Sequence, residues 1–176
     1  MQSFKIRPIE KDDNAAVANI IRKVMPEFDC VGEGYSINDP EVDTMFEAYD
    51  NNKSAFYVIE NENNNNILGC GGIAPLKNAE DYICELQKMY FLKDLRGYGM
   101  GQKLLDVCLG QASEIGYKKC YLETIAKMGA ANNLYKKNKF QKLSAPIGNT
   151  GHSGCDSYYS KNLDTKKPFA NLLKGK

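Results

Sequence analysis

The stretch Leu95-Arg96-Gly97-Tyr98-Gly99-Met100-Gly101-Gln102-Lys103-Leu104-Leu105 sets three alternating glycines at the head of an amphipathic run. Glycine disfavours a helix interior by about 1 kcal/mol relative to alanine, so its repeated use at a helix start needs a reason. A glycine-rich loop feeding a helix N-terminus is an anion site. Unpaired N–H groups point outward, the helix dipole adds partial positive charge, and glycine lets backbone approach a phosphate closely. A plain strand-to-helix turn would be served by two glycines. Three, preceded by Arg96, favour a phosphate ligand. A Walker A loop requires GK[ST], but here Gly101 is followed by Gln102. The dinucleotide fingerprint G-x-G-x-x-G follows a strand directly, whereas here the spacing differs and Leu92-Lys93-Asp94-Leu95 intervenes.

Outward from this loop, a helix is expected from about 98 to 115. Leu104, Leu105, Cys108, Ala112 and Ile115 share one face, and Gly116 suits the C-terminus. Phe4 to Ile9 alternates as a strand. Asp12 or Asp13 can cap a helix to about Met25, ended by Pro26. Asp39-Pro40 is expected to open a second helix. Strands follow at about 55–60, 67–74 and 82–91, the first two joined through the Asn-rich turn 61–66. KKCYLETI reads as a strand, GAANNLYKKN as a helix, and FQKL and CDSYYSKNL as two closing strands. The order β-α-α-β-β-β-α-β-α-β-β mixes hairpins with crossover helices. It predicts an α/β (mixed α+β) domain: a mixed, mostly antiparallel sheet with helices on both faces. Residues 1–163 form one domain in this reading, and 164–176 a loose Lys-rich tail.

Bulk composition narrows the classes. The chain has 176 residues, 43% hydrophobic and 26% charged, with formal net charge +1. That is enough for one domain with a real core, and it carries no global nucleic-acid footprint. No apolar run nears the roughly 20 residues of a membrane-spanning helix, and the opening MQSFKIRPIEKDD lacks a signal-type apolar stretch. Cytoplasmic residence, with neither nucleic acid nor membrane as partner, is the expectation. The six cysteines form no CxxC pair. They read as buried free thiols, and no metal site is expected.

Arg96-x-x-Gly99-x-Gly101 resembles the Q/R-x-x-G-x-G/A signature of the GNAT superfamily of acyl-CoA-dependent N-acyltransferases. ICELQKMYFLKDLRGYGMGQKLLDVC resembles that family's strand–loop–helix unit. YLETIAKMGAANNLYKKNKFQKL resembles the strand, helix and strand that follow, and FKIRPIEKDDNAAVANIIRKV its first strand and helix. The resemblance spans about residues 4–163 and implies splayed fourth and fifth strands. It implies acetyl-CoA as co-substrate, with Arg96, Gly97, Tyr98, Gly99, Met100, Gly101 and Gln102 around the diphosphate. Met89, Tyr90 and Phe91 would meet the pantetheine arm, an amide near Met89 or Tyr90 polarising the thioester carbonyl. Tyr135 corresponds to the family's tyrosine near the sulfur, a proton donor to the leaving thiolate. Glu85 matches a catalytic glutamate of some members, with Glu123 as the competing base. Two positions depart from the pattern. Met128 stands where helices of the family often begin with asparagine, leaving Asn132 as the alternative cofactor contact. Lys139 replaces the usual glycine before Phe140, with Asn138 proposed to take over the left-handed helix end.

The acceptor is named less directly. Pro26 to Asp50 contains eight acids and no Lys or Arg. This suggests a cationic acceptor such as a polyamine, amino sugar or lysine-like amine, against capping and a solvated face as the plainer use. Seven lysines and one acid from Lys118 to Lys142 would suit the phosphates of coenzyme A. Glu33, Tyr35, Glu123 and His152, the only histidine, are the candidate acceptor contacts, and a Cys155/His152 nucleophile pair is conceivable in principle. The expected activity is N-acetyltransfer from acetyl-CoA to a primary amine of a small molecule, by direct attack in a ternary complex. The alternatives are a non-catalytic acyl-CoA sensor, a protein or peptide amine acetyltransferase, and a nucleotide-binding α/β protein. A homodimer is left open as the assembly.

Overall fold

In the computed structural model, which describes residues 2–164, seven strands form one sheet. They are β1 (Phe4–Pro8), β2 (Ala55–Asn61), β3 (Ile67–Pro75), β4 (Ile83–Phe91), β5 (Lys119–Thr124), β6 (Gln141–Leu143) and β7 (Ser157–Asn162), in spatial order β1-β2-β3-β4-β5-β7-β6. All pairings are antiparallel except β4–β5. The parallel pair is short: Ile83↔Lys119, Cys84↔Cys120 and Glu85↔Tyr121. Beyond Glu85 the two strands part, so their C-terminal halves leave a gap in mid-sheet.

Alternation along β4 and β5 divides the core between two faces. Cys84, Leu86, Cys120 and Leu122 join Leu104, Leu105 and Cys108 of α3 (Met100–Ile115) and Tyr135 of α4 (Gly129–Lys137). On the other face Phe56, Val58 and Cys70 pack against Val17, Ile20 and Ile21 of α1 (Asn14–Val24) and Met45 and Tyr49 of α2 (Met45–Tyr49). Helices thus cover both faces and leave the gap flanked by α1 and α4.

Several elements differ from the sequence expectation. The second helix begins at Met45 rather than at Pro40. Asp39 is extended (φ −62, ψ 137), as suits a residue before proline, and its carboxylate is used by Lys88 and His152 instead of capping a helix. Asp13 precedes α1 but its side chain accepts from the Glu10 amide and Arg7 rather than capping the helix. After Val24 the chain tightens into a 3₁₀ turn, Met25–Phe28, around Pro26. Lys139 itself takes the left-handed conformation (φ 62), while Asn138 stays right-handed and caps Leu134 O through its amide. Five cysteines are buried and Cys155 is half-buried; all six are free. The expected tail, from 165 onward, lies outside the described residues.

Candidate active site

The glycine loop is built by backbone. β4 ends at Phe91, a 3₁₀ turn spans Lys93–Leu95, and α3 starts at Met100. Gly97 and Gly99 have φ +86 and +73, the left-handed region in which side chains are strained, although a Cβ there would meet nothing within 4 Å. Their glycine is therefore demanded by backbone conformation. Gly101 is different: it is helical, and a Cβ would stand 3.6–3.9 Å from Leu134 and Phe91, an ordinary contact. Its bareness keeps space rather than geometry. The first bond into the helix runs from the Lys103 N–H to the Gly99 C=O, 3.4 Å. Among the described residues, the amides from Gly97 to Gln102 have no backbone acceptor, the condition for anion binding at a helix start. The Arg96 side chain braces this loop. Its Nε and Nη2 donate to the Phe91 carbonyl (3.0 and 2.9 Å) and its Nη1 to Glu27 (2.8 Å).

A cavity of about 350 Å³ opens below the loop, between β4 and α4. Of the residues expected to hold the cofactor, it brings together Met89, Tyr90, Phe91, Arg96, Gly97, Gly99, Met100, Gly101 and Gln102. Tyr98 is not among them; it is 51% exposed and packs edge-on against Phe4, centroids 5.1 Å apart. Nor is Asn132. It is buried, donates to the carbonyls of Ile125 (2.9 Å) and Met128 (2.8 Å), and accepts from the Tyr159 hydroxyl (2.8 Å), so its amide fixes the start of α4. The Gln102 side chain exchanges hydrogen bonds with Asn138 (2.8 and 2.9 Å) and so ties α3 to α4.

A second cavity, about 60 Å³, lies on the far side of the gap and contains Tyr35, Glu85, Glu123, His152 and Cys155. The two cavities share Met89, Tyr90, Met128, Ala131 and Tyr135. Tyr135 is buried against Phe140 and Tyr159, and its hydroxyl has no hydrogen-bond partner among the described residues. Burial raises its pKa well above the ordinary tyrosine value, so it stays protonated and able to donate.

Between the cavities β4 is bulged. Gly72 opposes Gln87 and Cys70 opposes Tyr90, so Lys88 and Met89 face Gly71 alone, with Lys88 left-handed at φ 52. A bulge takes a residue out of the ladder, and it does so where β4 leaves β5. The Lys88 side chain is buried, 2% exposed, and its ammonium meets Asp39 (2.6 Å) and Glu41 (2.9 Å). Burial works to lower its pKa, but the two carboxylates outweigh this and hold it charged. Asp39 also accepts from His152 Nε2, at 3.0 and 3.2 Å. This Lys88–Asp39–His152 arrangement was not read from the sequence; its one local signal was a lysine in the middle of an apolar strand, ICELQKMYF.

Glu85 is 4% exposed and accepts from Gln87 Nε2 (2.6 Å); Gln87 in turn accepts from the Tyr49 hydroxyl. Burial raises its pKa above the usual glutamate value. Glu123 is held by two neutral donors, the hydroxyls of Tyr121 (2.7 Å) and Thr150 (2.8 Å). Neither glutamate has an ion pair among the described residues. The acidic segment 26–50 behaves otherwise. Glu27, Asp29, Asp39, Glu41, Asp43 and Glu47 pair respectively with Arg96, Lys127, Lys88, Lys88 again, Arg22 and Lys11. Those charges tie the segment down, so the case for a cationic acceptor passes from them to Glu85 and Glu123. Glu33 is exposed and outside both cavities. The Cys155 thiol is pushed up to about 12, mainly by burial, and His152 faces Asp39 rather than this thiol, which speaks against a Cys/His nucleophile pair.

Residues 52–142 match the acetyltransferase (GNAT) domain family, which places the molecule among the acyltransferases. The chain belongs to the GNAT acetyltransferase family. It is 41% identical over 156 residues, 88% of this chain and 92% of the relative, to the uncharacterized N-acetyltransferase YjgM of Escherichia coli (strain K12). Its fold matches a GNAT-family acetyltransferase from Staphylococcus aureus Mu50, with TM-score 0.79 and 23% identity over 92% of this chain and 100% of the other. It also matches the structure of YncA from Salmonella typhimurium with its cofactor acetyl-CoA, with TM-score 0.73 and 18% identity over 92% and 94%. Among the described residues no helix is long and apolar enough to cross a membrane.

Proposed function

We propose that the protein transfers the acetyl group of acetyl-CoA to the primary amine of a small cationic molecule, by direct attack in a ternary complex. The observation that carries this reading is the meeting of two cavities at Tyr135. One is lined by bare amides at a helix start and suits a diphosphate with its arm. The other is lined by carboxylates and suits an amine.

In this reading the amides from Gly97 to Gln102 hold the pyrophosphate, and the gap between β4 and β5 receives the pantetheine arm beside Met89–Phe91. The Met89 amide, at the bulge, stabilises negative charge developing on the thioester oxygen. Glu85 takes a proton from the attacking nitrogen, which its raised pKa suits. Tyr135 gives a proton to the departing thiolate. Glu123, whose carboxylate is fixed by two neutral hydroxyls, faces a cationic acceptor.

Thermal shifts with acetyl-CoA, coenzyme A, ATP and NAD, followed by an amine panel of graded charge, test the proposal. Stabilisation by the coenzyme A ligands and highest kcat/KM for acceptors bearing a second cationic group are expected. Stabilisation by ATP or NAD but not by coenzyme A would refute the donor. Equal turnover of acceptors of every charge would refute the cationic preference.

A further inference from the structure

We propose that His152, oriented by Asp39, is a second catalytic proton acceptor: it takes the first proton from the acceptor's ammonium, before Glu85 takes the second. The inference rests on the acetyl transfer proposed above.

Proton stoichiometry motivates it. A primary amine arrives mostly as ammonium, since an unperturbed alkylamine such as lysine has a pKa of about 10.4. The ammonium has three N–H bonds and the amide product one, so two protons leave the nitrogen. Glu85 accommodates one. Of the other titratable groups facing the acceptor cavity, Lys88 is an ammonium already paired with Asp39 and Glu41. Burial raises the pKa of the Cys30 and Cys155 thiols and of the Tyr90 phenol, so these keep their protons, and Tyr35 offers a phenol rather than a basic nitrogen or a carboxylate. Each Glu123 oxygen already accepts a hydroxyl proton. His152 is left.

Its geometry suits the task. Asp39 is held below the usual carboxylate range, with burial outweighed by His152 and Lys88, so it is ionised and can only accept. Nε2 of His152 must then carry the proton it donates, and in the neutral ring Nδ1 becomes the basic nitrogen. Nδ1 has no hydrogen-bond partner among the described residues, and the side chain, 12% exposed, lines the cavity that holds Glu85 and Tyr135. Burial works to lower the His152 pKa, but the Asp39 hydrogen bond and the charges of Asp39 and Glu85 leave it above the ordinary value.

The backbone under the ring is fixed as well. The His152 N–H donates to Thr150 Oγ1 (3.1 Å), which donates to Glu123 (2.8 Å). The Gly154 N–H donates to the Gly34 carbonyl (3.0 Å). A Cβ at Gly154 would stand 2.4 Å from the Tyr35 ring, and one at Gly34 2.5 Å from Ser153 Oγ. Only glycines let the two loops close so tightly, and that closure brings Asp39 to His152.

His152 Nδ1 takes a proton from the ammonium, giving a neutral amine and an imidazolium. The amine lone pair forms the C–N bond, its second proton passes to Glu85, and the C–S bond breaks with its electron pair on sulfur. The thiolate takes the Tyr135 proton, Glu85 reprotonates Tyr135 through solvent, and the imidazolium releases its proton to water. One proton is released per turnover.

The test is kcat against pH for the wild type, His152→Gln, His152→Ala and Asp39→Asn, with acetyl-CoA affinity and unfolding midpoint measured alongside. The wild type is expected to lose activity on the acid side in two stages, log kcat approaching a slope of 2. His152→Gln should lose the stage nearest neutrality, keep a slope of 1, and fall about 100-fold in kcat at neutral pH, with acetyl-CoA affinity unchanged. Imidazole added to His152→Ala should restore part of the rate, and Asp39→Asn should move the upper stage to lower pH. A His152→Gln enzyme with wild-type kcat, or with both stages intact, would overturn the inference and leave the transferase reading standing. A wild type that acetylates no amine would overturn both.

Discussion

The proposed cofactor groove and the proposed acceptor cavity meet at Tyr135 yet are made of different material. The groove is backbone: six consecutive residues, bare amides and two left-handed glycines. The cavity is side chain: Asp39, Glu85, Lys88, Glu123 and His152 come from four places along the chain, Asp39 binding Lys88 and His152 while Glu85 and Glu123 are held by Gln87, Tyr121 and Thr150. A backbone site survives changes in most of its side chains, and so serves a donor common to many acceptors. A side-chain site is specific to one constellation. The difference predicts which substitutions remove chemistry, which remove stability and which remove donor binding alone.

The largest effect should come at the junction. Tyr135→Phe should lower kcat by about 100-fold or more while leaving acetyl-CoA affinity within about twofold; an equal loss in affinity would make Tyr135 a packing residue of the groove. Lys88→Met comes next and tests the cavity's internal ties. It leaves Glu41 without its ion partner and Asp39 with His152 alone, and removing one partner of a buried ion pair costs about 3–5 kcal/mol. Asp39 and Glu41 are 20% and 30% exposed, which places the loss near the lower figure. Urea unfolding should show it, and a variant as stable as the wild type would mean that the cluster does not hold the acceptor loops.

Within the groove, Gly101→Val and Gly99→Ala separate space from geometry. Gly101→Val adds methyls where a Cβ is sterically tolerated, so its unfolding midpoint should hold while acetyl-CoA affinity falls about tenfold or more, roughly 1.4 kcal/mol. Gly99→Ala should instead lose stability, about 1–2 kcal/mol for a left-handed residue. The reverse pattern would break the contrast. The smallest effect is expected at Arg22→Ala: this surface residue pairs with Asp43, neither of them lining a cavity, and neither midpoint nor kcat should change measurably.

The same contrast explains what was legible in the sequence. The groove could be read because its cause is local. Alternating glycines and an amphipathic helix lie in one stretch, and strand and helix periods flank it. Even there, the roles of single residues depended on contacts invisible to pattern. Arg96 binds the Phe91 carbonyl and Glu27, Tyr98 leans on Phe4, and Asn132 closes the start of α4. In the cavity, Glu85, Glu123, Tyr35 and His152 were legible as candidates, but the grouping was not. Asp39 and His152 are separated by 113 positions, and the bulge that buries Lys88 follows from a register shift between β3 and β4. The ion pairs of the acidic run 26–50 were hidden for the same reason, since its partners are Arg22 on α1, Lys88 on β4, and Lys11, Arg96 and Lys127 outside those elements.

The most direct test of the account is free-thiol release from acetyl-CoA, followed with purified protein before and after adding a diamine, with the acetylated product identified by mass. The account predicts thiol and monoacetylated diamine in equal amounts, only when the amine is present, and almost none from Tyr135→Phe. Acetyl-CoA that binds and stabilises the protein but yields no thiol with any amine would contradict it and make the molecule a sensor of acyl-CoA.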